Sequence, residues 1–255
     1  MRNMATLRSY SLRLIPLILI AGLSLIGCGR EKGEPLIVYC GTSFSKPIEE
    51  IGGKFKERFG ADIKYNFAGC ETIFPQILLT HKGDICIVHD PYADMLREKG
   101  VLEDDRVVGK LTPVLIVPKG NPKGIKSLED LARPGIRVAL GDPRFQTCAQ
   151  YVHQKLKEKG IEEAVKKNIV YETKTHQELG NAVKLGTADV AVVWNFIAVL
   201  NSDSLDSIWM KEKFPETKIH VCLLNFSKNK ELARKFLEFA SSQEGVGILK
   251  RDGYR

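Results

Sequence analysis

The sequence has no P-loop, no G-x-G-x-x-G, no G-x-S-x-G and no H-E-x-x-H. The common signatures of phosphate cradles, dinucleotide sites, serine nucleophiles and zinc hydrolases are therefore missing. Its six cysteines show neither C-x-x-C nor zinc-type spacing. The 11 prolines and 22 glycines are scattered, so no collagen-like or low-complexity tract exists, and no internal repeat is visible. What is present is an ordinary globular composition, 44% apolar and 27% charged over 255 residues. That excludes a disordered chain and a small disulfide scaffold. The length suits one large domain or two medium ones.

The formal charge of +7 comes partly from one end. Arg2, Arg8 and Arg13 precede the apolar run Leu14 to Gly27. A basic start before a run too short to span a bilayer comfortably predicts a signal peptide over residues 1–27. The run closes on Leu25-Ile26-Gly27-Cys28, which matches the lipobox of bacterial lipoproteins, with Cys28 the lipidated residue. An uncleaved membrane anchor is the alternative. Either puts the body of the protein outside the cytoplasmic membrane. Residues 28–35 form a polar tether. Without residues 1–27 the chain would carry +4, spread along helices, which predicts a solvated surface and no nucleic-acid partner.

Leu36 to Cys40 is a short apolar run between Pro35 and Gly41, and predicts a buried strand. Ile48, Ile51, Phe55 and Phe59 then fall at helical spacing before Gly60. Asp62 to Phe67 predicts a second strand, followed by a turn at Ala68-Gly69-Cys70-Glu71-Thr72 and a second helix. Asp84 to Val88 predicts a third strand, ending at His89-Asp90-Pro91 before a helix over 92–99. Strand, small polar turn and helix thus alternate three times, as in a parallel α/β sheet. The pattern recurs with strands over 112–118, 137–140, 169–171 and 188–194. Helices are expected over 127–132, with a capping box from Ser127 to Asp130, and over 147–159 and 176–185. A strand over 218–225 and a helix over 230–241 follow.

In open α/β sheets ligands sit beyond the carboxyl ends of the strands. The turns there are short, polar and placed at helix starts, where unpaired N–H groups and partial positive charge favour anions without needing lysine. An exported two-lobed α/β protein with such turns and no catalytic motif points to a solute receptor, not an enzyme.

Val38-Tyr39-Cys40-Gly41-Thr42-Ser43-Phe44 resembles the opening strand and "AAS" turn of the molybdate-binding receptors of ABC importers. Asn66 to Thr72 resembles their "FAGSS" turn, Gly83 to Ile87 their "ADVFIS" strand, Gly141-Asp142-Pro143 their "GDP" segment, and Lys250 to Tyr254 their "KYGF" ending. The five occur in the family's order. The resemblance implies a type II periplasmic binding fold, in which each lobe is a mixed, mostly parallel sheet flanked by helices. Lobe one would hold residues 36–112 and 224–255, and lobe two 113–223. The expected crossover strands are 112–117 and 218–224. A monomer would close on a tetrahedral oxyanion, molybdate or tungstate before others, and deliver it to a membrane permease. No cofactor is implied.

The same resemblance implies a ligand set. Ser43, beside Thr42, matches a serine ligand, and Cys70 stands where a second serine is expected. Cys148 and His176 fall at backbone N–H donors, and Trp194 replaces a tyrosine. Glu71 either faces the anion or stabilises its own helix dipole. An alternative is a soft-ligand site for a thiophilic metal, metalloid or thio-anion on Cys70, Cys148 and His176, with His89 in a similar place. Cys148 beside His176 also invites the weaker reading of an activated thiol. Cys86 and Cys222, inside apolar strands, are expected to be core thiols, and two of the remaining cysteines could pair as a disulfide.

Overall fold

The computed structural model describes residues 34–255. The proposed signal peptide, Cys28 and most of the tether lie outside them. The chain opens with β1 (Leu36–Gly41), a short 3₁₀ turn at Thr42–Phe44, and α1 (Ser45–Phe59), which Gly60 ends in the left-handed region at φ 67°. Next come β2 (Ile63–Ala68), α2 (Cys70–Thr80), β3 (Ile85–His89), α3 (Tyr92–Glu98) and β4 (Leu102–Leu111). The chain then leaves for a second sheet through β5 (Pro113–Pro118), β6 (Val138–Gly141), α4 (Thr147–Glu158), α5 (Glu162–Lys166) and β7 (Ile169–Thr173). That sheet is completed by α6 (His176–Lys184), β8 (Val190–Trp194), α7 (Asn195–Leu200) and β9 (Leu205–Trp209). β10 (Thr217–Leu224), α8 (Lys230–Ala240) and α9 (Gln243–Arg251) return to the first sheet.

Both sheets have five strands built to one plan. The first is ordered β2-β1-β3-β10-β4 and the second β7-β6-β8-β5-β9. In each, three strands run parallel, and one antiparallel strand, β10 or β5, separates them from an edge strand. Among the described residues β10 pairs with β3 and β4 alone. Residues 217–223 therefore belong to the first sheet, and the boundary expected at 224 falls ahead of 217. The chain changes sheet at Thr112 and again between β9 and β10.

The apolar runs became the central strands. The edge strands β4 and β9 were not foreseen, because Glu103-Asp104-Asp105-Arg106 and Asp206-Ser207 break any apolar run. Charged side chains on an edge also deter pairing with other chains. The short helices α5 and α7 and the terminal α9 were missed as well. Ser127 does not cap its helical turn: the turn starts one residue later, after Leu128. Only the acidic half of the box forms, with Asp130 accepting from the N–H groups of Lys126 and Ser127.

The first lobe's outer helices meet in a phenylalanine cluster. Phe55 lies 4.6 Å from Phe59, 5.2 Å from Phe236 and 5.9 Å from Phe239, joining α1 to α8. At the crossover the chain is held by Asn195. Its N–H donates to the Thr112 carbonyl at 2.9 Å, and its Oδ1 accepts from the Thr112 N–H at 2.8 Å. Its Nδ2 donates to the Gly253 carbonyl at 2.6 Å. Gly253 has φ 95°, and a Cβ there would lie 2.7 Å from Val199 and 3.0 Å from the Phe196 backbone, so only glycine fits. Tyr254 then stacks on Phe196 at 4.9 Å, and Arg255 lies 3.7 Å over the Trp209 ring. The C-terminal tail, which enters from the first lobe, is thereby strapped to the second.

Asn195→Ala should lower stability by about 1–3 kcal/mol for each buried backbone group it leaves unpaired. Urea denaturation of the substituted and parent proteins checks this, and an unchanged midpoint would contradict it.

Candidate functional site

The parallel strands of both sheets hand the chain to helices at the same edge, and the two edges face each other across a cavity of about 400 Å³. From the first lobe, β1 delivers Gly41, Thr42 and Ser43, β2 delivers Gly69, Cys70 and Glu71, and β3 delivers His89. From the second, the turn after β6 delivers Phe145, Gln146 and Thr147. The turn after β7 delivers Lys174, Thr175 and His176, and β8 ends at Trp194. Gly41 permits the tight approach, since a Cβ there would stand 3.0 Å from the Cys70 Sγ and from the Phe44 ring.

The first N–H groups of a helix have no partner inside it. α2 starts after Gly69 and α4 after Gln146, and neither has a side-chain cap. α6 is capped by Thr175, whose Oγ1 accepts from the Glu178 N–H at 3.3 Å. Uncapped helix starts thus reach the cavity from both lobes, α2 among those of the first and α4 among those of the second. The Ser43 backbone is fixed by the Tyr254 hydroxyl, which donates to its carbonyl.

Six of the seven residues expected in the ligand set line the cavity: Thr42, Ser43, Cys70, Glu71, His176 and Trp194. The Cys148 side chain does not. It is buried inside the second lobe, and its neighbour Thr147 takes the lining position. The reason is helical geometry: at the second position of α4 the Cys148 side chain turns inward, leaving its backbone N–H at the helix start. Glu71 turns back over Gly69 at the start of α2, where a carboxylate stabilises the helix dipole. Lys46, His89, Lys174 and Tyr254 also line the cavity and were not in the expected set. His89 stands at a strand end and Lys174 in the polar turn before α6, whereas Lys46 carries no local signal.

The fixed charges on the lining cancel. Lys46 pairs with Asp252 at 3.3 Å, Lys174 sits 4.1 Å over the Phe145 ring, and Glu71 supplies the second carboxylate. Burial pushes the Cys70 thiol up to about 12, against the opposing hydrogen bond from the His89 backbone, and burial also holds the Cys148 thiol well above its ordinary value. Both are neutral thiols. All five described cysteines are free and buried, so no disulfide forms, and Cys86 sits opposite Cys222 in the core. No group of three or more metal-capable side chains occurs among the described residues. The soft-ligand site on Cys70, Cys148 and His176 is therefore not assembled, and neither is an activated Cys148.

Two histidines meet at the lobe boundary. His89 and His176 lie 6.1 and 5.9 Å from Trp194, and each is 8% exposed. Burial lowers the pKa of both, with His176 brought to about 3. The Nδ1 atom of His176 is buried without a hydrogen-bond partner among the described residues.

An unfolded histidine takes up a proton as pH falls through about 6.5, whereas folded His176 does so only near 3. Stability from this group is therefore complete above about pH 6.5 and falls below it, by about 1.4 kcal/mol per pH unit. The stability of the ligand-free protein, read from denaturant titrations at a series of pH values, should fall with this contribution, and His176→Gln should make the fall shallower while the part due to His89 remains.

The bacterial extracellular solute-binding protein family matches residues 36–255. The molybdate-binding protein ModA of Mycobacterium bovis is 24% identical over 94% of this chain and 95% of its own length. The sulfate-binding protein of Escherichia coli is 25% identical over 60% of this chain and 54% of its own. The periplasmic molybdate-binding protein of Azotobacter vinelandii superposes with a TM-score of 0.71 at 17% identity, covering 86% of this chain and 98% of that one. The fold is the two-lobed α/β architecture of periplasmic binding proteins. The chain belongs to the bacterial extracellular solute-binding protein family.

Proposed function

We propose that this protein is the receptor of an ABC importer and closes its two lobes on a small tetrahedral oxyanion, molybdate or tungstate before sulfate. The observation that carries this reading is that uncapped helix starts, α2 and α4 among them, reach one cavity from opposite lobes. They offer N–H groups and partial positive charge to an anion where the ionised side chains cancel. The relatives that bind molybdate and sulfate are consistent with it.

In this reading Ser43 donates its hydroxyl, with Thr42 beside it, and Cys70 stands in for a second hydroxyl. The backbone N–H groups of Cys148 and His176 donate from the second lobe, and Trp194 offers its indole N–H. Residues 36–112 and those from 217 onward act as one lobe and 113–209 as the other, hinging at the two crossovers. The chain works as a monomer, handing its cargo to a membrane permease. Residues 1–27 are removed on export, and lipid on Cys28 holds the protein to the membrane.

A hydrogen bond to a charged ligand contributes about 1.5–3 kcal/mol, or roughly 10- to 150-fold in affinity. Ser43→Ala should weaken molybdate or tungstate binding by that factor in calorimetry. Cys70→Ser should keep or improve it, because a hydroxyl donates better than a thiol. If the folded, ligand-stripped protein binds none of molybdate, tungstate or sulfate, the reading is wrong. Mass spectrometry of membrane-extracted protein should find residues 1–27 missing and Cys28 carrying lipid; a mature chain beginning elsewhere would refute the anchor.

A further inference from the structure

The two cleft histidines carry an inference that rests on the oxyanion reading and goes beyond it. His89 ends β3 in the first lobe, and His176 opens α6 in the second. They lie against the same Trp194 ring. In His89 the Nδ1 atom sits 2.7 Å from the Asp90 carbonyl. A carbonyl can only accept, so the proton is on Nδ1 and the neutral ring keeps a lone pair on Nε2. A bare acceptor in an anion cavity repels an anionic oxygen. His176 adds a second difficulty, because its buried Nδ1 has no partner among the described residues, whichever tautomer it holds. Buried polar atoms are rarely left so, and one on a cavity-lining side chain indicates a ligand.

The surrounding charges do not remove the problem. Lys46 is engaged by Asp252, and Lys174 is matched by Glu71 on the same cavity. The other titratable groups near His89 are Asp90, His220, the neutral Cys70 thiol and Tyr92, besides His176 itself. A doubly charged anion entering this lining finds no net side-chain charge to meet it. A proton on Nε2 turns the repelling acceptor into a charged donor, while Nδ1–H keeps its bond to Asp90.

We propose that His89 and His176 contact the bound oxyanion, and that one proton enters the closed cleft with it, taken from solvent onto Nε2 of His89. The count is one because a second imidazolium on His176 would face the first across the closed cleft. In the empty protein burial keeps both rings neutral, so the proton is taken up on binding and is not already in place. Affinity is then linked to pH, although molybdate and sulfate do not themselves titrate near neutrality.

Calorimetry of the mature protein with molybdate, and separately with sulfate, tests this in two buffers of different ionisation enthalpy. The expected result is uptake of about one proton per anion bound, and about tenfold tighter binding for each pH unit lowered between roughly pH 8 and 6.5. His89→Gln retains an amide donor but cannot titrate, so its uptake should be zero and its affinity independent of pH. His176→Gln should weaken binding yet keep the uptake. Anion binding by the parent protein with no proton uptake and a pH-independent affinity would overturn the inference and leave the oxyanion reading standing. Uptake that survives in His89→Gln would overturn the assignment to that ring. Failure to bind either anion at any pH would instead remove the oxyanion reading, and this inference with it.

Discussion

A helix cannot pair its own first N–H groups, and this constraint organises the molecule around its cleft. Right-handed crossovers between parallel strands place helix starts on one edge of each sheet. Two sheets built to the same plan then present two such edges to each other. The turns at those edges need little space, so Gly41 and Gly69 precede the residues that face the cavity. Everything distinctive about the site follows from donors that the fold leaves unpaired. The side chains add direction and selectivity more than charge.

The same economy explains the chemistry that is missing. An ionised thiol would be costly in this buried setting, and Cys70 and Cys148 accordingly remain protonated. Cys40, Cys86 and Cys222 are sealed within the first lobe as small apolar residues. The carboxylates near the cavity are likewise committed. Asp252 holds Lys46, and Glu71 lies back over the start of its own helix. The charged groups that line the cavity are thus matched in number and sign.

The two lobes are linked yet separately packed. The phenylalanine cluster of Phe55, Phe59, Phe236 and Phe239 stiffens the first lobe, while the second has its own apolar strands in β5, β6 and β8. Asn195 sits where the two meet and satisfies backbone groups on both the crossover and the tail. Tyr254 extends that link to the cavity, touching Phe196 with its ring and Ser43 with its hydroxyl. The position of Ser43 is thereby coupled to the second lobe through a residue near the chain terminus.

Much of this was legible in the linear chain. Apolar runs such as Leu36–Cys40 and Asp84–Val88 could only be buried strands, and the polar turns after them marked the cavity edge, because strand period and turn chemistry are local properties. Ser43, Cys70 and His176 stand in those turns, but it is the family resemblance that singles them out, with Trp194, as expected ligand positions. The edge strands β4 and β9 were hidden, since an edge needs backbone pairing but no apolar run. The place of β10 in the first sheet was equally hidden, because a buried strand carries no mark of which sheet will pair with it. Tertiary structure alone decided that Cys148 turns into the core while Thr147 faces the cavity, a matter of one helical step. It also decided that Lys46 and Lys174 would be balanced by Asp252 and Glu71, and that His89 and His176, 87 positions apart in the sequence, would meet at one indole ring. Local pattern determines which groups lie at a strand's end. Which of them face one another is settled only when two lobes close, because those distances are set by packing between segments far apart in the chain.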